Sequence, residues 1–328
     1  MNDLKTVDRA ERKAIFIKAA FDIGIRPDMV EKDYWVSWTL NQLFADKKLG
    51  SIFLFKGGTS LSKAFHIIKR FSEDIDLLLD LGEVAENNES FEKKRSKNAT
   101  NTFKSKIRKN TEIYIAECLQ PRIEKIVGQY CTTEIPEDSP CDIYINYPGV
   151  FESDSYIRSY IKLEIGAFAQ GTPFIPAHIR SYVSEKLPQL PESPVDIPTV
   201  SAVRTFWEKL TIIHYLNFLP EDRPTPPRHS RHFYDIFMMG KSPYKQNAIA
   251  HKDLLEKIIE FDRQFYPKHG VDYEIMCFRN LSLVPCPRLS RLLASDYEQM
   301  DEMIFGERPT WQEIIDYLAG LEKELAQI

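Results

Sequence analysis

Two short stretches gather the residues with chemistry in them. Phe55-Lys-Gly-Gly-Thr-Ser-Leu-Ser-Lys63 sets two glycines between an apolar run and a segment of helical character. Arg70-Phe-Ser-Glu-Asp-Ile-Asp-Leu77 sets Asp74 and Asp76 two positions apart in an alternating pattern. Successive side chains of a strand point to opposite faces, so these two carboxylates share a face, about 6.6 Å apart at about 3.3 Å per residue. Carboxylates so placed repel unless a cation sits between them. Hard oxygen ligands suit Mg²⁺, or Mn²⁺, which also takes phosphate oxygens. A two-metal version would activate an attacking oxygen and stabilise a pyrophosphate leaving group.

The glycines complement the carboxylates. Gly57 and Gly58 let the backbone bend sharply and let a ligand approach the main chain. A helix starting near Thr59 turns its free N–H groups and positive dipole end into that space, an arrangement that receives phosphate. The Thr59 and Ser60 hydroxyls serve as further donors or as helix caps. In Tyr160-Ile-Lys-Leu-Glu-Ile-Gly166 the apolar Ile161, Leu163 and Ile165 face one way and Lys162 and Glu164 the other. Glu164 is therefore the candidate third metal ligand, and Lys162 its partner or a phosphate contact. Singly, each feature has a bland reading, a plain turn or a solvated strand edge. The order strand, Gly-Gly, helix, Asp-x-Asp strand carries the argument.

These residues need a mixed α/β frame. Periodicity predicts helices over 8–23 and 28–45, the second with Pro27 in its first turn and Val30, Tyr34 and Trp38 at helical spacing. Strands are expected at 52–55 and 74–79, a helix at 59–69 between them, a long basic helix over 91–118, and strands at 142–147 and 160–166. Two proline-rich stretches read as loops, Pro188, Pro191, Pro194 and Pro198 in one and Pro220, Pro224, Pro226 and Pro227 in the other. The first is the expected boundary between a domain of residues 1–195 and one of 196–328. The second domain reads as helical, over 201–218, 231–239, 250–264 and 310–326. The expected class is α/β (α+β): a small mixed sheet flanked by helices, then a helical C-terminal domain.

Composition excludes several classes. Hydrophobic residues make up 43% and charged residues 28%, an ordinary globular balance with enough apolar material for two cores. No run of about 18 uncharged apolar residues suggests a membrane span, and Met1-Asn-Asp-Leu-Lys lacks a signal peptide's apolar stretch. The five scattered cysteines, with no C-x-x-C pair, fit a reduced cytoplasmic protein better than a zinc site. A net charge of −5 argues against generic polyanion binding. Lys93, Lys94, Arg95, Lys97, Lys104, Lys106, Arg108 and Lys109 nevertheless form an acid-free basic stretch, either a solvated helix face or a phosphate-backbone contact.

Three segments, Glu31-Lys-Asp-Tyr-Trp35, Phe55-Lys-Gly-Gly-Thr-Ser60 and Arg70-Phe-Ser-Glu-Asp-Ile-Asp76, resemble the AbiEii/AbiGii nucleotidyltransferase toxins. That family is similar to the MenT toxins and belongs to the DNA polymerase β-like superfamily. Arg204-Thr-Phe-Trp-Glu-Lys-Leu210 resembles its lysine-bearing helix, and Arg231-His-Phe-Tyr-Asp235 its later motif. The resemblance spans about residues 28–240. It implies that Gly57, Gly58, Thr59 and Ser60 contact the NTP phosphates and that Asp74 and Asp76 bind metal. It also implies that Lys209 neutralises the triphosphate and that Asp235 completes the site or orients Arg231. Val203, Phe206, Leu210 and Ile213 would pack inward, leaving Lys209 on the helix flank. His229 and His232 read as surface or structural residues.

The implied reaction is transfer of a nucleoside monophosphate to an acceptor, the 3′ end of tRNA foremost, by a toxin of a toxin–antitoxin or phage-defence system with a cognate antitoxin protein. The basic stretch 93–109 is then a reasonable RNA contact. The same site could serve a small molecule such as an aminoglycoside or a protein hydroxyl. Readings from other classes are a nucleotide-binding protein without turnover, acting through a partner, and a structural module.

Overall fold

A computed structural model describes residues 4–86, 89–152, 158–190 and 192–328. The opening Met1-Asn-Asp and Pro191, both used in the sequence reading, lie outside them. The chain divides into two units, one of Met1–His66, Phe71–Lys93 and Thr102–Val200, the other of Ile67–Arg70, Lys94–Asn101 and Ser201–Ile328.

The helices run α1 Arg9–Ile23, α2 Pro27–Ala45, α3 Lys47–Ile52, α4 Gly57–Lys63, α5 Lys97–Tyr114, α6 Gln120–Val127, α7 Tyr182–Lys186, α8 Ala202–Leu216, α9 Ser230–Gly240, α10 Tyr244–Ala250, α11 Asp253–Phe265, α12 Pro287–Glu298 and α13 Trp311–Gln327. The strands are β1 Phe53–Lys56, β2 Ile75–Leu79, β3 Thr132–Glu134, β4 Asp142–Asn146, β5 Tyr160–Gly166, β6 Phe174–Ala177 and β7 Ile197–Val200.

In the first unit the seven strands of the described residues form one mixed sheet in the order β3-β4-β5-β2-β1-β7-β6. β1 and β2 pair antiparallel, while β2 and β5 pair parallel, as do β1 and β7. Phe53, Phe55, Ile75, Leu77, Ile161, Leu163 and Ile165 supply the buried positions of the central strands. α2 is buried nearly all round, Glu31, Lys32 and Asp33 included, so its charged groups require partners inside the protein.

Several expected boundaries move. The predicted strand 52–55 starts one residue later, because Ile52 closes α3. The helix expected over 59–69 runs only from Gly57 to Lys63, and the chain then turns through His66 at a φ of 52°. The basic helix starts at Lys97 rather than 91 and continues beyond 118, through a π turn at Ile115–Leu119 into α6. Pro198 lies in β7, opposite Pro176 of β6. The pairing with β1 is confined to Phe55 and Thr199, so a residue without an N–H fits there.

The second unit is helical. α8 packs on α9, α10 and α11, and α9 packs on α12 and α13. Phe206, Trp207, Leu210, Ile213, Phe233 and Tyr234 are its buried apolar centre, and Trp207 donates its indole N–H to the Ala248 carbonyl at 3.1 Å. Among the described residues no helix is long and apolar enough to cross a membrane.

Candidate active site

The sheet register assembles one set of predicted residues. Asp76 on β2 lies beside Glu164 on β5, Glu164 beside Asp142 on β4, and Asp76 also opposite Lys56 on β1. Residues paired in this way point to one face of the sheet, so the carboxylates of Asp76, Glu164 and Asp142 form a row across it. Asp74 enters the same face just before β2. Burial raises its carboxyl above the ordinary value, and the negative charges of Glu73 and Glu164 push further against Lys162 and Lys32.

The Gly57 turn borders Asp76. Gly57 adopts a φ of 79°, where side chains are disfavoured, and a Cβ at this position would stand 1.8 Å from Asp76 Oδ2. The glycine lets the strand–helix turn close onto the carboxylate. At the N-cap of α4, Lys56 supplies no capping side chain to the first-turn N–H groups. The hydroxyls expected to point to phosphate have internal partners. Thr59 Oγ1 donates to the Asp74 carbonyl at 2.5 Å and lies 3.0 Å from Ser72 Oγ, while Ser60 Oγ donates to the Gly57 carbonyl at 2.8 Å. Both residues are fully buried, so Thr59 ties α4 to the Asp74 segment.

Glu164 accepts from Lys162 at 2.5 Å, and Lys162 also lies 3.1 Å from Asp142. Although burial opposes it, the hydrogen bond to Glu164 and the charges of Glu164 and Asp142 hold the Lys162 ammonium above its usual range. Among the described residues no group of three or more His, Cys, Asp or Glu side chains stands in metal-ligand geometry. The donor chemistry fits a divalent ion all the same. Asp74 and Asp76 supply hard oxygens, and the like charge crowded around Asp74 is what a bound cation relieves. Asp74 and Asp76 are thus the residues that would hold the ion, while Glu164 is engaged by Lys162.

Sequence reasoning missed the supports beneath this site. Lys32 of α2 holds Glu73, next to Asp74, at 2.5 Å. Asp33 pairs with Lys63 at the end of α4 at 2.7 Å and accepts from the Tyr182 N–H at 2.5 Å. Burial raises the Asp33 carboxyl to about 6 against the pull of Lys63. Glu31 accepts from the Val150 N–H at 2.8 Å. The Glu31-Lys-Asp segment was the available signal: three consecutive charged residues inside an otherwise apolar helical pattern.

In the helical unit, Lys209 and Asp235 meet. Lys209 Nζ lies 2.8 Å from Asp235 Oδ2 and is buried, where the sequence reading placed it on the helix flank. The Asp235 pairing explains the difference, since the carboxylate compensates a buried ammonium. Asp235 is fully buried and accepts two bonds from Arg70, at 2.7 and 2.9 Å, so Arg70 rather than Arg231 is the guanidinium it orients. Burial would raise the Asp235 carboxyl, but Arg70 and Lys209 hold it well below the carboxylate range. Burial pulls the Lys209 ammonium down, and Arg70 and Arg231 add to that against Asp235. His232, whose Nδ1 is 3.5 Å from Lys209 Nζ, is kept neutral by burial and by Lys209.

The family model described as "Nucleotidyl transferase AbiEii toxin, Type IV TA system" matches residues 38–317, a span that includes Gly57, Asp74, Asp76, Glu164, Lys209 and Asp235. The chain belongs to the AbiEii nucleotidyltransferase toxin family. It is therefore a nucleotidyltransferase, a toxin of the type IV toxin–antitoxin kind, with an NTP as donor and an antitoxin as its counterpart. Among solved structures it is similar to MenT4, a nucleotidyltransferase toxin from Mycobacterium tuberculosis H37Rv, with 13% identity and a TM-score of 0.47 over 98% of this chain and 99% of that one. A comparison with curated proteins gives no match. Members of the AbiEii family generally use a divalent metal.

The basic stretch is mostly exposed. Lys93, Lys106 and Arg108 pair with Glu89, Glu86 and Glu112 at 3.3, 2.6 and 3.0 Å, while Lys94, Lys97 and Lys109 are exposed, as Arg95 and Lys104 partly are.

Proposed function

We propose that this AbiEii-family enzyme transfers a nucleoside monophosphate from an NTP to RNA, the 3′ end of tRNA foremost, in the cytoplasm. The acceptor hydroxyl gives its proton to solvent as its oxygen bonds the α-phosphorus, the bond from that phosphorus to the α–β bridging oxygen breaks, and pyrophosphate leaves. The observation that carries this reading is the Asp76 carboxylate packed onto the Gly57 turn, with Asp74 beside it.

The chain's residues divide the work. Asp74 and Asp76 would be the oxygen ligands for Mg²⁺ or Mn²⁺, which would supply positive charge beside the triphosphate. Gly57 and Gly58 bring the main chain close to the triphosphate and leave first-turn N–H groups to donate to it. Thr59 and Ser60 shape that turn from within. Glu164, coupled to Lys162, is retained as a candidate third carboxylate on the same face. Lys209 is assigned the triphosphate's counter-charge, with Asp235 fixing its ammonium and Arg231 adding positive potential. The exposed lysines and arginines between Lys93 and Lys109 are assigned to the RNA backbone.

The test is incubation of the purified protein with Mg²⁺, total RNA and each α-³²P-labelled NTP in turn, beside the Asp74→Ala/Asp76→Ala variant. A labelled tRNA-sized band present in the wild type and missing in the variant is expected. Label that persists in the variant, or that never enters RNA, overturns the reading.

A further inference from the structure

Beyond the carboxylates, the same face of the sheet carries an aromatic pair without a role in the reaction above. Tyr160 of β5 and Tyr144 of β4 stack nearly parallel, with ring centroids 4.2 Å apart and planes 14° from each other. Both are half-buried. Tyr160 alternates in phase with Lys162 and Glu164, and Tyr144 is the register partner of Lys162, so both rings project on the side of the carboxylate row. The ammonium of Lys32 links the two regions, 5.8 Å from the Tyr160 ring centre and 2.5 Å from Glu73, the neighbour of Asp74.

Cations and polar groups surround the rings. Arg158 donates to the Tyr160 hydroxyl, and its guanidinium carbon is 5.7 Å from the ring centre. Asn146 lies opposite Tyr160 on β4 and offers an amide on the same face. Tyr160 stands four residues from Glu164 along β5, about 13 Å at about 3.3 Å per residue, a span across which a nucleotide can place its base while its phosphate lies near the carboxylates. Flat half-buried rings, the cations of Lys32 and Arg158 near the Tyr160 ring and an adjacent amide are what holds a nucleobase by stacking, with little preference for which base.

The geometry points to a nucleobase-stacking subsite formed by Tyr144 and Tyr160, flanked by Arg158 and Asn146, for a base of one of the enzyme's nucleotide substrates. It rests on the transfer proposed above for its biological meaning. Donor NTP and acceptor RNA are two sources of the same chemistry. A cross-strand aromatic pair also stabilises a sheet in its own right, so the test must separate ring chemistry from folding.

Two double variants of the full chain do this, Tyr144→Phe/Tyr160→Phe, which keeps both rings, and Tyr144→Leu/Tyr160→Leu, which keeps only apolar bulk. Affinity for non-hydrolysable analogues of the four NTPs is measured calorimetrically with Ca²⁺, and affinity for total tRNA by filter binding, with thermal melting as the check on folding. The Leu pair is expected to lose about tenfold in affinity for one of the two ligands, while the Phe pair stays within about twofold of wild type. A loss for the NTP analogue places the donor's base on the rings; a loss for tRNA places the acceptor's base there. A folded Leu pair that binds both ligands within about twofold of wild type overturns the proposal. If the Leu pair does not fold, Tyr160→Leu alone is read by the same criteria. Because binding is measured without turnover, a wild type that binds but transfers nothing sinks the reaction and leaves this subsite standing.

Discussion

A Cβ on residue 57 would stand 1.8 Å from Asp76 Oδ2, and the φ of 79° there disfavours any side chain. Gly57→Ala should therefore force Asp76 or the turn to move. We expect at least about a hundredfold fall in nucleotide transfer, equivalent to about 2.7 kcal/mol of lost transition-state stabilisation, read in a single-turnover assay; near-normal transfer would show that the turn does not fix the carboxylate. The buried Arg70–Asp235–Lys209 cluster separates stability from activity. Removing one partner of a buried ion pair costs about 3–5 kcal/mol when the other is left uncompensated. In Lys209→Met, Asp235 keeps both bonds to Arg70, so urea unfolding should shift little while transfer is lost. Arg70→Ala leaves only Lys209 against a fully buried carboxylate and should destabilise more. Equal destabilisation by the two would contradict this division.

At the scale of elements, α2 works from inside. Lys32 and Asp33 on one helical turn reach Glu73, beside Asp74, and Lys63, at the end of α4. α8 carries a different buried group, His214, whose Nδ1 accepts from the Ser282 N–H at 2.9 Å. Burial pulls its imidazole down to about 4 from an ordinary 6.5. The unfolded chain thus binds this proton more tightly, so the contribution is fully present above about pH 6.5 and is lost as pH falls toward 4. Between pH 7 and 5 the loss is about 2 kcal/mol at 1.36 kcal/mol per pH unit below 6.5. Raised carboxyls such as Asp33 run the opposite way, so the measurement is the difference between wild type and His214→Gln in urea midpoints at the two pH values. The variant should be less sensitive to acid; parallel shifts would contradict a neutral buried imidazole. The long amphipathic and alternating segments, α2, β5, α8 and α13, were legible from periodicity. β3, β6 and β7 were not, because three or four residues give too little alternation and prolines occupy two of them. The Asp74–Asp76 face and the Gly57 turn were legible because local spacing alone sets them. The Asp235–Arg70 pair, 165 residues apart in the chain, was not.

For the whole molecule, net charge and local charge point in different directions. A chain of −5 carries an exposed basic stretch on and just before α5. If that stretch meets RNA, replacing Lys97, Lys104 and Lys109 with Gln should lower the slope of log affinity against log salt by about 2–3, near one for each phosphate no longer neutralised. An unchanged slope would remove α5 from the RNA interface. The AbiEii family match settles the class of chemistry, and the carboxylate row with its glycine turn is the place we propose for it. The most direct test follows the label. The enzyme is given the same NTP and RNA twice, once with ³²P at the α-phosphate and once at the γ-phosphate, with Asp76→Asn as control. Label should enter RNA only from the α position, the γ label should leave in pyrophosphate, and Asp76→Asn should abolish both. Incorporation from the γ position, or α-label transfer undiminished in Asp76→Asn, would contradict nucleotidyl transfer at these carboxylates.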